Sequence, residues 1–373
     1  MLYTNLPLVA REIFNFNNTT IGTLSGATSL AGFVSLTFVN ARLRSVWRRR
    51  LFIASAFIYS AIFSFIPLDG YFGIWLMPLA AGFFLQIIST NQANASGIIG
   101  KTTSGRERAI TLYTVSLSAS LVIGPLVNFA ILSHVSLSYS YAAFVVFPIS
   151  AAVLTLFFPF PKETSVIAKS DQSDLPENAV QSVQVNSFRL IWKNNGFQAA
   201  LYINAMYSIP FAAIVSFGGL FSREYFRVTN SSVQLYFVIF FAVSFLARAL
   251  ILRSKRANVR AMTSVSIMLT LLGVVLLIVA SSPIFYAVAL AILGVPHGLT
   301  FPSSLIVISR NSHESTRNVL NSYFASSYTA ISALAPLMIG LVADQIGLRY
   351  AFGVLFISIG VFAYLIFRKW ASI

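Results

Sequence analysis

Gln86, Asn91, Tyr202, Asn204, Tyr207 and His297 are the side chains of this sequence best suited to hold a solute. Each stands inside an apolar run long enough to cross a bilayer, where a polar group is costly and marks a candidate site by default. Gln86 and Asn91 share one run with Gln92 and Asn94. Tyr202, Asn204 and Tyr207 share another with Gln198 and Ser208, at three- and four-residue spacings that put them on adjacent helix faces. Amides, phenols and imidazoles there can donate to and accept from a bound molecule. The same residue types also tie neighbouring helices together, so both uses stay open.

His297 carries the sharpest chemistry. It is the fourteenth residue of a run at about 284–309, which at 1.5 Å per residue puts it near mid-bilayer. Pro296 and Pro302 each remove a backbone donor, so the helix is expected to bend or unwind locally beside it. The ten acidic residues (Glu12, Asp69, Glu107, Glu163, Asp171, Asp174, Glu177, Glu224, Glu314 and Asp344) all fall in loops or at span ends. His297 is therefore the one mid-membrane group that could carry a coupling proton near neutral pH.

Other chemistries find no support. The chain has no Cys, which excludes disulfides and thiolate metal sites. No Ser–His–Asp, metal-ligand or cofactor constellation emerges, so neither an enzyme nor a cofactor is expected. Ala95-Ser-Gly-Ile-Ile-Gly-Lys101-Thr102 matches a relaxed phosphate-loop pattern. That loop needs a preceding strand; here it follows a membrane span and reads as an ordinary turn.

The elements that position these residues follow from composition. Of 373 residues, 57% are hydrophobic and 9% charged, too much apolar surface for a soluble core. Spans of roughly 20 residues in a bilayer accommodate it. Runs lie at about 20–40, 51–67, 72–96, 109–132 and 138–160, then at 197–221, 231–252, 261–280, 284–309, 318–342 and 350–367. With the short apolar start before Arg11, that makes eleven full helices and a partial one. The polar segment 161–195 between the two series is a solvated linker.

The series repeat. Arg11, Glu12, Phe14 and Asn18 recur as Arg223, Glu224, Phe226 and Asn230, each 223 − 11 = 212 positions later. Arg44 and Arg48 meet Arg256 and Arg260 at the same offset, and Arg106 and Pro125 meet Arg317 and Pro336 at 211. The symmetry would start the first helix about fifteen residues before Met1. Of the 25 Lys and Arg, 21 lie on the linker side of the spans, Arg248 among them, and 4 on the other. Basic residues favour the cytoplasmic side, so a net charge of +15 reflects orientation rather than nucleic-acid binding. The expectation is a multi-pass plasma-membrane protein with linker and C-terminus in the cytoplasm.

Two six-helix halves, a cytoplasmic linker and basic clusters such as Arg42–Arg50 resemble the major facilitator superfamily. Gly124-Pro125 is similar to the Gly-Pro core of that family's exporter motif. Gly294-Val-Pro-His-Gly-Leu-Thr-Phe-Pro302 and Gly340-Leu-Val-Ala-Asp-Gln-Ile-Gly347 resemble stretches of its bacterial and archaeal members. The loop of Arg42–Arg50 lacks the family's usual Asp and Gly.

The resemblance implies an all-α membrane protein with bundles at 1–160 and 196–373 and a substrate site between them. It implies that Gln86 faces His297 across that cavity, since 297 − 86 = 211. It further implies alternating access by a monomer, with export of an amphipathic compound or metabolite. Facilitated passage or import of a polar solute such as a sugar or organic acid, and a non-transporting scaffold or truncated relic, stand as alternatives. The stripe Tyr113, Ser116, Ser120, Gly124 and Asn128 reads as a close-packing face in the fifth helix.

Overall fold

A computed structural model of the chain describes residues 2–40, 45–66, 70–96, 103–158, 193–253, 258–311 and 314–373. The described residues form helices and no strand. In order these are α1 (Leu2–Glu12), α2 (Asn18–Val39), α3 (Ser45–Phe65), α4 (Gly70–Ser96), α5 (Thr103–His134) and α6 (Leu137–Phe157). The second series is α7 (Asn195–Phe226), α8 (Asn230–Arg253), α9 (Val259–Val279), α10 (Pro283–Arg310), α11 (Glu314–Ile346) and α12 (Leu348–Arg368). Ten of them are long and apolar enough to cross a membrane. The exceptions are α1, with 11 residues, and α3, whose 21 residues carry Arg48-Arg49-Arg50 at the fourth to sixth positions. Most of the linker, and Gly97–Thr102 of the phosphate-loop match, lie outside the described residues.

Helix ends overrun the apolar runs: α5, α7 and α11 reach 32, 32 and 33 residues. A backbone ladder needs no apolar side chains, and a polar side chain can cap the start of a helix, as at α2, α7, α9 and α10. Asn17, Asn194, Asn258 and Ser282 do this, each accepting from an amide three residues on. A correction concerns α10, which stays helical through Pro296 and Pro302. The Thr300 and Ser304 hydroxyls hydrogen-bond back to the carbonyls of Pro296 and Thr300, at 2.8 and 3.0 Å.

The repeat is written into the backbone. Asn15 and Arg227 both take the left-handed conformation at φ 54°, and 227 − 15 = 212. Arg11 donates to the Phe16 carbonyl and Arg223 to the Val228 carbonyl, again 212 apart.

Odd-numbered helices run away from the end that carries the linker and even-numbered helices run towards it; the opposite end is the far end. There the halves are drawn together along three seams. On α2 and α11, a Cβ on Gly22, Gly26 or Gly340 would strike the backbone oxygens of Pro336, Ala333 and Asn18, so these helices touch backbone to backbone. The Asp344 carboxylate of α11 accepts the amides of Asn18 and Thr19 at 2.9 and 2.8 Å, capping α2 from the other half. Between α1 and α7, Arg11 pairs with Glu224 at 3.2 Å and Arg223 with Glu12 at 2.7 Å; Asn230 adds a bond to Glu12 at 2.8 Å. Between α5 and α8, Asn5 is fully buried and joins Asn128 and Gln234.

Candidate functional site

Where the seams leave off, a cavity of about 310 Å³ opens between the halves, within the size range of small-molecule sites. Its walls obey the repeat. Tyr3 and Val215, Thr4 and Ser216, and Ser29 and Phe241 all line it, each pair 212 apart. So do Leu121 with Ser332 and Pro125 with Pro336, 211 apart. The chemistry is less symmetric than the geometry: Phe211 and Phe241 give the C-terminal half an aromatic wall, and Ser25, Ser29 and Gln86 face them from the N-terminal half. Among the described residues the lining holds hydroxyls, one amide and aromatic faces, and no charged side chain.

Gln86 occupies this wall because α2 and α4 meet at glycines. A Cβ on Gly82 would strike the Thr28 carbonyl, and one on Gly32 would come within 3.3 Å of the Gln86 Cβ. The Gln86 amide has one weak contact, to the Thr90 hydroxyl at 3.4 Å, which leaves most of its bonding capacity for the cavity.

The other sequence candidates are placed differently. Asn91 is buried and donates to Asn40 at 2.8 Å and to the Ile87 carbonyl, so it ties α4 to the end of α2. Tyr202 packs on Phe362 of α12, with ring centroids 6.2 Å apart. Tyr207 is buried and donates to the Leu293 carbonyl of α10 at 2.7 Å. Asn204 is buried, its amide nitrogen without a partner, and does not line the cavity. Helix 7 faces the cavity instead through Phe211, Ala212, Val215 and Ser216, one to two turns further along.

His297 does not face Gln86 across the cavity, which corrects the expected pairing. It lies behind the aromatic wall, its ring centroid 4.4 Å from Phe211, 5.2 Å from Phe240 and 5.6 Å from Phe241. Its Nδ1 is 2.7 Å from the Ser244 hydroxyl of α8. Gly294 and Gly298 cause this, since a Cβ on either would strike the α8 backbone at Phe240 or Ser244. The close approach presses the intervening His297 into α8. Gly124 is also reassigned: a Cβ there meets nothing within 4 Å, so it widens the cavity rather than packing a helix.

Sequence reasoning missed Asn5 and Gln234, and it read Arg248 as a loop residue. Arg248 belongs to α8 and reaches Ser118 of α5 with one guanidinium nitrogen at 2.9 Å and the His297 carbonyl with another at 3.4 Å.

The sequence profile of the Major Facilitator Superfamily matches residues 1–336 and also residues 216–371. The chain belongs to that superfamily, whose members are membrane transporters rather than enzymes. Among solved structures, the fold is similar to a bacterial homolog of the human lysosomal transporter Spinster in its inward-facing, unoccupied conformation. That match has a TM-score of 0.76 at 13% identity and covers 100% of this chain and 94% of the other. The D-xylose-proton symporter gives a TM-score of 0.70 at 8% identity over 98% and 92% of the two chains. The nucleoside transporter NupG gives 0.63 at 15% over 100% and 96%. No curated protein matches the sequence.

Proposed function

We propose that this chain exports a small amphipathic molecule by alternating access, using the central cavity as its binding site. The observation that carries the reading is the cavity itself, lined at repeat-related positions from both halves and sealed at one end by contacts between them. Rocking the halves about such a site exposes it to each side in turn. Aromatic faces would hold the apolar part of the molecule, and Gln86 with the surrounding hydroxyls would orient its polar part. With the linker and C-terminus in the cytoplasm, as the 21-to-4 division of basic residues implies, the sealed end faces outward and this conformation loads from within. Of the residues proposed from sequence, Gln86 is kept as a direct contact. Tyr207 and His297 act behind the aromatic wall, and a proton on His297 would have to reach the substrate through it.

Reconstitution in liposomes tests this. Wild-type protein loaded with a panel of amphipathic compounds and metabolites should show saturable counterflow of at least one. Gln86→Leu should raise its KM about tenfold, the effect of losing roughly 1.4 kcal/mol of binding. Folded protein that moves none of the panel would refute the reading.

A further inference from the structure

Arg248 points the wrong way for a residue of its position. Its backbone lies three residues from the end of the apolar span Asn230–Ile251, where a long cationic side chain ordinarily snorkels outward to the headgroups. Instead the guanidinium turns back into the protein, reaching a backbone oxygen 297 − 283 = 14 residues along α10, half-way down that helix. It lies between the halves, beside the cavity and outside its lining: Ser118, on the linker side, stands two and three residues before cavity-lining Ser120 and Leu121.

A cation held inside the membrane calls for a counter-charge. The carboxylates of Glu12, Glu224 and Asp344 are at the far end and already bound to Arg223 and Asn230, to Arg11, and to the α2 amides. Among the described residues Arg248 has only neutral partners, a hydroxyl and one long bond to a carbonyl. Its buried Nε has no hydrogen-bond partner. A guanidinium offers five donors in a planar fork that fits the two oxygens of a carboxylate, sulfonate or phosphate.

We propose that Arg248 recognises an acidic group on the transported molecule, so that the substrate is an amphipathic organic anion whose apolar body lies against Phe211 and Phe241. The inference rests on the cavity being the transport site and adds the class of cargo. It also links binding to movement, because an anion drawn to Arg248 competes with Ser118, a contact between the two halves.

The test is binding to purified full-length protein, followed by thermal shift, using aromatic carboxylates, alkyl sulfonates and phosphate monoesters, each beside its uncharged amide, ester or alcohol. At least one acid should bind wild type about tenfold more tightly than its neutral counterpart, as charge-assisted pairing requires. Arg248→Gln should bring that ratio to about one, Arg248→Lys should keep part of it, and Ser118→Ala, which removes the fastening but not the charge, should keep all of it. Acids and neutral counterparts bound alike by wild type, or a preference that survives in Arg248→Gln, would overturn the proposal. If Arg248→Gln is not recovered folded, Arg248→Lys decides, because an undiminished preference there also overturns the forked recognition. Counterflow with the same compounds separates this idea from the function it rests on. Transport of neutral compounds alone keeps the transporter and removes the anion, whereas Arg248-dependent binding without transport does the reverse.

Discussion

Asn5 is fully buried, with Asn128 accepting and donating on one side and Gln234 donating to it at 2.9 Å on the other. Asn5→Leu would leave the buried amide nitrogens of Asn128 and Gln234 without their acceptor, at a cost of about 1–3 kcal/mol. Thermal unfolding in detergent should show a lowered midpoint, and Asn128→Ser a smaller loss. His297→Gln should keep a partner for Ser244, and its transport rate and pH profile should match wild type; a flattened profile would restore His297 as a proton carrier. These residues mark the limit of legibility. Sequence identified Gln86 and His297 as costly polar groups, but whether each met solute or helix depended on glycines elsewhere, Gly32 and Gly82 in one case and Gly294 and Gly298 in the other. Arg248 adjoins a basic loop, and nothing in its neighbours' identities reveals the direction of its side chain.

Helices α2 and α11 meet through Gly22, Gly26 and Gly340, and the four-residue step from Gly22 to Gly26 is the spacing that lets membrane helices approach closely. Gly26→Leu should therefore force the far end apart and favour the opposite conformation. The chain has no Cys, so spin labels on cysteines introduced at Asn17 and Gln345 will report that distance without background. The variant should lengthen it, and an unchanged distribution would mean that the seam yields elsewhere. Helix number and order were readable from apolar runs alone. Helix continuity through Pro296 and Pro302 was not, because α10 is pressed against α8 at Gly294 and Gly298, a contact between distant segments that local sequence does not carry.

For the whole molecule, the basic-residue division predicts that an epitope tag after Ile373 is inaccessible in intact cells and accessible after permeabilisation. Labelling of intact cells would invert the topology and with it the direction of transport. The duplicated plan was legible because its markers, such as Arg11 with Arg223 and Pro125 with Pro336, kept their spacing. The cavity was not, since its lining depends on how each helix is rotated, and a one-residue turn of about 100° replaces Tyr207 by a neighbour.

The crossed pairs Arg11–Glu224 and Glu12–Arg223 carry one more implication. In a two-fold dimer of a single six-helix unit, one Arg-Glu dipeptide would make both bonds, because residue i meets j and j meets i. The chain thus contains, within one polypeptide, the self-complementary face of a homodimer. In such a dimer every substitution strikes twice, whereas joining the copies in tandem lets each bond change alone. Asn230 bonds to Glu12, while its counterpart Asn18 accepts from Arg11 and, through its amide, binds Asp344. Residue 344 − 211 = 133 in the first copy is Ser133, with no carboxylate to offer. One pair of equivalent asparagines thus makes two different contacts, and the cavity between the two copies has two distinct sides.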